Sequence, residues 1–227
     1  MNLDVGNHFS ALTTDIHQVQ KSIFVLESAN TFFRENRYHQ LLHDDFFMTN
    51  LDANRIAAII GLGKIFDINH RAHSLCYLIK WLRKHQEDFS KEAIIARKIK
   101  SGMTEDEALV YAQNFTGIDT QKVQKLADIQ TRLQALYDEK ARRLRNQAFA
   151  HRDRDAQPPG LEYDVISALA NGALGVFDDI FHAYYNARDF SLDPREYPWL
   201  NDLKRDIESY LAPHRDRRIQ VWPNTTT

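Results

Sequence analysis

Residues 142–153 have the sequence RRLRNQAFAHRD and end a long periodic segment of the chain. Arginines, an amide and a histidine stand close together in this stretch. Between Lys140 and Asp155, six basic and two acidic residues give a net charge of plus four, whereas the formal net charge of the whole chain is minus two. A positive region on a mildly acidic protein is the pattern expected where an anion binds. The sequence therefore predicts that the functional chemistry is located here.

The composition is typical of a helical globular protein. The 227 residues include only eight glycines and six prolines, which argues against a sheet-and-turn architecture and for long helices. Cys76 is the single cysteine, so no intramolecular disulfide forms, and this suits a reducing compartment. The N-terminus lacks the basic-then-apolar pattern of a signal peptide, and no apolar run approaches membrane-spanning length. We therefore expect a cytoplasmic protein with no membrane partner.

Apolar periodicity predicts two long helices, one that contains most of residues 142–153 and one that follows them. The first begins at Asp119 or Thr120, extends to residue 151 and carries one apolar stripe, which consists of Val123, Leu126, Ile129, Leu133, Leu136, Leu144, Ala148 and His151. Residues 158–160, Pro-Pro-Gly, end this helix or form the turn after it, because proline lacks the backbone N–H and glycine permits a tight turn. Residues 161–187 repeat apolar side chains at steps of three and four, and they predict the antiparallel neighbour.

The N-terminal half predicts further helices. Residues 12–33 and residues 56–66 each carry an apolar face, and Asp52 is the expected N-cap of the second helix. Asn69 or Ser74 begins the next one. Three aromatic pairs are expected to be core residues more often than base-stacking platforms: Phe32-Phe33, Phe46-Phe47 and Tyr184-Tyr185.

Residues 87–120 have a shorter and more charged pattern than the rest of the chain. Ser90 is suited to cap one short helix, and Thr104 followed by Glu107 is a capping-box signature for another. No strand pattern or repeat is present. We therefore predict an all-α, antiparallel helical bundle over residues 1–190, with residues 87–120 as inserted short helices. Residues 191–227 are predicted to be a C-terminal extension with one short helix around residues 200–211.

Arg145 and His151 are the two residues most suited to chemistry in the opening stretch. Six positions separate them, so on an ideal helix their azimuths differ by roughly 120°. Both side chains reach one site only if the helix ends near His151 or if a second subunit closes the cleft. From spacing alone, the simpler interpretation is that Arg145 is a solvated helix residue and that His151 stabilises the helix C-terminus as a cation.

A family resemblance changes this interpretation. Arg145-Asn146, four residues and then His151 resemble the R-polar-x4-H motif of the HEPN superfamily, the higher eukaryotes and prokaryotes nucleotide-binding domains. Residues 150–153, Ala-His-Arg-Asp, resemble the AbiU-like abortive-infection branch in particular. The family pattern is a helical bundle with the motif at the end of a long helix and a final helix after it. Residues 12–187 are similar to this order, which implies an HEPN-like bundle.

The resemblance also implies an activity, which is metal-independent endoribonuclease action of a toxin or phage-defence type, with no cofactor. In this chemistry the ribose 2′-hydroxyl attacks the adjacent phosphorus and leaves a 2′,3′-cyclic phosphate. His151 would be the acid and base, because the residue type titrates near neutral pH. Arg145 would stabilise the phosphate charge with its planar donor fork. Asn146 would orient His151 or the phosphate, and Asp153 would support the helix end or the His151 tautomer.

RNA is the partner that the resemblance implies, together with a second copy of the chain that pairs its motif with the first in one cleft. An antitoxin or another protein of a defence system is a further possible partner. The remaining arginines of the stretch would hold flanking phosphates, although some are equally interpretable as solvated charges: Arg142, Arg143, Arg152 and Arg154.

Two other functions remain open from the sequence. The first keeps the fold and the basic cleft but without turnover, so that the protein binds RNA or a nucleotide as an interaction partner. The second is a metal-carrying bundle, because His39 and His43 stand four positions apart, Asp44 follows, and His70 with His73 would supply a second ligand pair. The pair lacks the glutamate of a zincin motif, and surface or capping histidines are the more common outcome.

Overall fold

The computed structural model describes residues 5–34, 45–69, 72–115, 117–150 and 163–186, together with Arg205 and Ser209; for residues 30–34 and 147–150 it describes the backbone alone. Eight α-helices lie in these residues: α1 Val5–Arg34, α2 Asp45–Ile65, α3 Leu75–Lys84, α4 Lys91–Lys100, α5 Glu105–Tyr111, α6 Thr120–Leu136, α7 Arg142–Ala150 and α8 Tyr163–Tyr185. A 3₁₀ turn, Gln86–Phe89, precedes α4. The described residues contain no strand. The all-α prediction is confirmed.

Helices α1 and α2 form the closest antiparallel pair of the bundle. The Nζ atom of Lys64 lies 3.0 Å from Oδ1 of Asp15 near one end of the contact. Gly61 faces Val19, and a β-carbon at position 61 would lie only 2.3 Å from Cγ2 of that valine. The absence of a side chain at Gly61 therefore permits the close approach of the two helices.

Helix α8 packs against both α1 and α6, and it is antiparallel to each. Against α1, the ring of Phe9 meets Phe181 edge-on at a centroid distance of 5.6 Å. Against α6, Leu133 packs over Gly172, where a β-carbon would lie 2.5 Å from the leucine Cδ2. The predicted antiparallel pairing of these two helices is confirmed. No helix of the described residues is long and apolar enough to cross a membrane.

Polar caps determine where most of the later helices begin. The side chains of Ser74, Ser90 and Asp119 each accept a hydrogen bond from the backbone N–H three residues later, at the starts of α3, α4 and α6. Thr104 and Glu107 form the predicted capping box of α5. These start signals are confirmed because a helix leaves its first N–H groups without partners and a short polar side chain supplies one.

Two predictions in α2 are wrong. The helix begins at Asp45 and not after Asp52, which lies inside it and pairs with Arg55 at 3.3 Å. Apolar residues before position 52 extend the helix, so the aspartate is not needed as a cap. Phe46 is also not a core residue, because 68% of it is exposed. By contrast, Tyr184 and Tyr185 pack against the core as predicted.

Side chains of the short helices α4 and α5 donate hydrogen bonds to the last carbonyl oxygens of α8. Arg97 of α4 donates to the carbonyl oxygen of Tyr184 at 2.8 Å, and its guanidinium lies 4.1 Å from the centre of the same ring. The hydroxyl of Tyr111 in α5 lies 2.9 Å from the carbonyl oxygens of Tyr185 and of Asn186. The last carbonyls of a helix have no partners within it, and a cation nearby is favourable. The predicted insertion is thus attached to the bundle at this helix end.

The predicted C-terminal extension lies almost wholly outside the described residues. Within it, Arg205 and Ser209 are helical, at positions where one short helix was expected.

Candidate functional site

Residues 142–153, which carry the predicted motif, begin directly after a π-helical turn. Residues 120–150 are helical throughout, as predicted up to Ala150, but the segment Tyr137–Ala141 between α6 and α7 is π-helical. The backbone N–H of Arg142 bonds to the carbonyl oxygen of Tyr137, five residues earlier. Such wide turns are rare and occur mostly as single turns inside α-helices, frequently at functional sites. Tyr137 and Ala141 are fully buried by this turn, whereas Leu136 of the predicted stripe is only partly buried.

Arg145 is not a solvated helix residue. It is half-buried and lies against the backbone of Gly63 in α2, where a β-carbon would be 2.8 Å from the arginine Cδ and 2.9 Å from Nε. The same β-carbon would be 3.3 Å from the hydroxyl of Tyr137. Gly63, Tyr137 and Arg145 therefore converge on one point between α2 and the long helix. The simpler sequence interpretation fails for Arg145.

Tyr137 is buried next to Gly63 and Arg145. Its ring stacks on Phe66 at a centroid distance of 5.3 Å and an interplanar angle of 19°, and the residue is 1% exposed. Burial raises the pKa of its hydroxyl, and the neighbouring Arg145 guanidinium opposes that shift. The hydroxyl oxygen lies close to Arg145 but makes no hydrogen bond of good geometry with any described residue. A buried donor without a partner is costly unless a ligand or water satisfies it.

The neighbouring cations are partly neutralised by the π-helical turn. Arg142 pairs with Asp138, 2.6 Å from Nη2 to Oδ1, and Lys140 pairs with Glu139 at 2.7 Å. The carboxylates of Asp138 and Glu139 lie just before residues 140–155, whose net charge is plus four. Arg143, in contrast, is exposed and has no ion pair with a described residue. The positive potential of the site therefore comes more from Arg143 and Arg145 than from Arg142.

The structure brings together only part of the predicted site. Asn146 lies at the exposed surface of α7, one position after Arg145. The other predicted residues lie outside the described part of the chain: His151, Arg152, Asp153 and Arg154. Their predicted roles stay predictions. Asn146 and Arg145 stand in the last two turns of the helical backbone that is described, which ends at Ala150.

The histidines suggested for a metal site have a different environment. His39, His43, Asp44 and His70 lie outside the described residues. His73 faces His8 of α1, with 3.0 Å between the two Nδ1 atoms, and His8 Nε2 lies 3.2 Å from the carbonyl oxygen of Ser74. A carbonyl accepts only, so Nε2 of His8 carries the proton and its Nδ1 accepts from His73. Among the described residues no group of three potential metal ligands is present.

Comparison with known proteins does not assign this arrangement to a family. No protein-family model matches the chain, and no curated protein or solved structure matches it significantly. The HEPN resemblance therefore depends on the motif and on the order of the helices.

Sequence reasoning missed the residues that position Arg145. The apolar stripe predicts that Leu136 is buried, whereas the fully buried residue is Tyr137, one position later. An alternative spacing of three, four and three through Ala127, Gln130, Gln134 and Tyr137 indicates the buried side, and those residues are buried or partly buried. Gly63 carried no sequence signal, because its function depends on a contact with a residue 82 positions later.

Proposed function

We propose that this chain is an HEPN-type endoribonuclease that cleaves RNA without a metal, with His151 as acid and base and Arg145 as the phosphate-stabilising group. The observation that carries the proposal is the position of Arg145. A permanently charged guanidinium lies half-buried between two helices, next to the buried hydroxyl of Tyr137. The motif that begins with this arginine continues to His151 in the sequence.

The arrangement suits the charge that develops in RNA cleavage. The 2′-oxygen forms a bond to phosphorus, the bond from phosphorus to the 5′-oxygen breaks, and the proton passes from the 2′-hydroxyl to His151 and on to the leaving 5′-oxygen. Negative charge grows on the non-bridging oxygens, where Arg145 donates. Preorganised donors at such a position contribute about 10²–10³-fold to turnover, and a positioned acid–base group about 10²–10⁴-fold.

Partial burial makes Arg145 more effective than a surface arginine. Its side chain is held by Gly63 and Tyr137, so less freedom is lost when a phosphate binds. The buried hydroxyl of Tyr137 lies at the same point, beside the side chain of Arg145. Asn146, at the surface beside Arg145, is available to contact the RNA or to orient His151. Arg143 supplies an exposed cation for a flanking phosphate.

The test compares cleavage of mixed RNA, in EDTA, by wild type, Arg145→Ala, His151→Ala and Arg143→Gln. We expect wild type to leave 2′,3′-cyclic phosphate ends and both alanine variants to lose at least about 10²-fold in rate, because each removes a transition-state contact. Arg143→Gln is the matched control, and it should weaken RNA binding and its salt dependence while turnover at saturating RNA persists. Wild-type cleavage by His151→Ala would refute the catalytic assignment.

A second function, RNA or nucleotide binding without turnover, is favoured by one observation. Arg145 packs on Gly63 and Tyr137, a contact that also stabilises the junction of α2 and α7. In that case Arg145→Ala would lower the midpoint of unfolding, and wild type would bind RNA without cleaving it. RNA binding by the wild type without cleavage products separates this second function from the first.

A further inference from the structure

A cavity of about 350 Å³ lies beside α3, on a part of the molecule that the proposed cleavage does not use. Ile68 and Asn69, which follow α2, form one wall. The other wall is a face of α3 and the residue after it, where side chains at steps of three and four share one side: Tyr77, Lys80, Trp81, Lys84 and His85. The volume lies within the range of about 300–1,000 Å³ that is typical of small-ligand pockets.

Two lysines line the cavity. Lys80 and Lys84 stand one helical turn apart, both are exposed, and neither forms an ion pair with a described residue. No carboxylate of a described residue lines the cavity. Acidic groups lie next to lining residues: Glu87 and Asp88 are 3.8 and 3.7 Å from Nδ1 of His85, and Asp67 accepts from the backbone N–H of Asn69 at 2.8 Å. In a chain with a net charge of minus two, two neighbouring exposed ammonium groups favour an anionic ligand.

The same cavity presents a preformed aromatic surface. Trp81 and His85 are stacked with 5.0 Å between ring centroids and an interplanar angle of 17°. Trp81 is held from behind by edge contacts with Phe89 and Tyr184. Tyr77 packs on the buried ring of His8 at 4.7 Å. A planar ligand would therefore meet rings whose positions are already set, and stacking on such rings tolerates any base.

We propose that this cavity binds a nucleotide unit, with the base against the Trp81–His85 stack and the phosphate between Lys80 and Lys84. The unit comes either from a free nucleoside phosphate or from single-stranded RNA, since both offer the same base and phosphate. Asn69 lies at the rim, where an amide can donate to or accept from the base edge. The site is independent of Arg145.

The test measures binding of AMP, adenosine, inorganic phosphate and an adenine hexanucleotide to the full chain by isothermal titration calorimetry. We expect AMP to bind, and adenosine and phosphate to bind at least about tenfold more weakly, because each lacks one of the two contacts. Competition between AMP and the hexanucleotide, with tighter binding of the hexanucleotide, identifies RNA as the source. Binding of AMP alone identifies a free nucleotide.

Matched variants locate the site. Lys80→Gln/Lys84→Gln should lower the affinity for AMP at least about tenfold, whereas Lys91→Gln/Lys100→Gln, which removes two exposed lysines of α4, should leave it unchanged. Absence of AMP binding, wild-type affinity in the α3 variant, or an equal loss of affinity in the α4 variant would each overturn the proposal.

Discussion

The side chain of Arg145 crosses the backbone of Gly63 so closely that a β-carbon at position 63 would lie 2.8 Å from Cδ and 2.9 Å from Nε. A glycine inside a helix costs at most about 0.5–1 kcal/mol relative to alanine, and Gly63 lies in the last turn of α2. Because Gly63 has no side chain, a space remains between α2 and α7, and the side chain of Arg145 occupies it. The position of the charged group in the candidate site is thus decided by a residue on another helix.

Gly63→Ala should separate function from stability. The new methyl group overlaps the flexible side chain of Arg145, so the arginine moves and the backbone does not have to. We expect the free energy of unfolding to stay within about 1 kcal/mol of wild type, since alanine is the better helix former. RNA cleavage, measured as kcat/KM, should fall at least about tenfold because the phosphate donor is displaced. Wild-type cleavage by this variant would show that the arginine position is unimportant.

Gly172→Ala and Gly175→Ala form a matched pair on α8. A β-carbon at Gly172 would lie 2.5 Å from Cδ2 of Leu133, whereas at Gly175 it would have no neighbour within 4 Å. We expect Gly172→Ala to lower the free energy of unfolding by about 1–3 kcal/mol through overpacking. Gly175→Ala should raise it by about 0.5–1 kcal/mol through helix propensity. Urea denaturation measures both, and equal effects would contradict the close contact of α6 and α8.

Tyr137→Phe tests the buried hydroxyl. The oxygen is shielded from solvent and has no hydrogen bond of good geometry to a described residue, so its removal should leave the free energy of unfolding unchanged or raise it by about 1 kcal/mol. If the hydroxyl positions Arg145, kcat should fall while the unfolding midpoint does not. A clear loss of stability in urea denaturation would mean that the hydroxyl has a structural partner.

Two buried groups should give opposite dependences of stability on pH. Burial lowers the pKa of His8 to about 4, so the unfolded chain gains this proton first as pH falls below 6.5, and the folded state loses stability. Burial raises the pKa of Asp178 to about 6, so the folded chain gains that proton first, and the folded state is favoured as pH falls from 6 towards 3.8. The two contributions oppose each other between about pH 4 and pH 6.

Single variants should reveal each contribution. Relative to wild type, Asp178→Asn should lose stability as pH falls from 6.5 to 4, and His8→Gln should gain stability over the same interval. Gly175→Ala changes no titratable group, and its difference from wild type should stay constant. Urea denaturation at half-unit steps of pH measures the slopes. Parallel curves for all four proteins would show that neither group is shifted in the folded state.

We expect a homodimer with the two Arg145 sites facing each other, because each chain supplies one basic stretch at residues 142–154 and two-fold symmetry is the common closed arrangement. Light scattering should then give twice the 26.5 kDa of the chain. Cleavage per chain should fall on dilution below the dissociation constant. A monomer at high protein concentration that still cleaves RNA would contradict the shared cleft.

The sequence alone determined the helical class, most helix starts and the antiparallel pairing of α6 with α8. These depend on local chemistry: apolar steps of three and four define a buried face, and Ser74, Ser90, Thr104 and Asp119 satisfy N–H groups a few residues away. The motif from Arg145 to His151 was also visible in the sequence, although His151 lies outside the described residues.

Only the tertiary structure decided the surroundings of Arg145. The π-helical turn at Tyr137–Ala141 buries Tyr137 where the simple stripe favoured Leu136, and Gly63 and Phe66 arrive from α2. The same holds for His8, whose contact with His73 joins residues 65 positions apart. Such contacts leave no local pattern, because periodicity reports which side of a helix is buried but not which residue of another helix meets it.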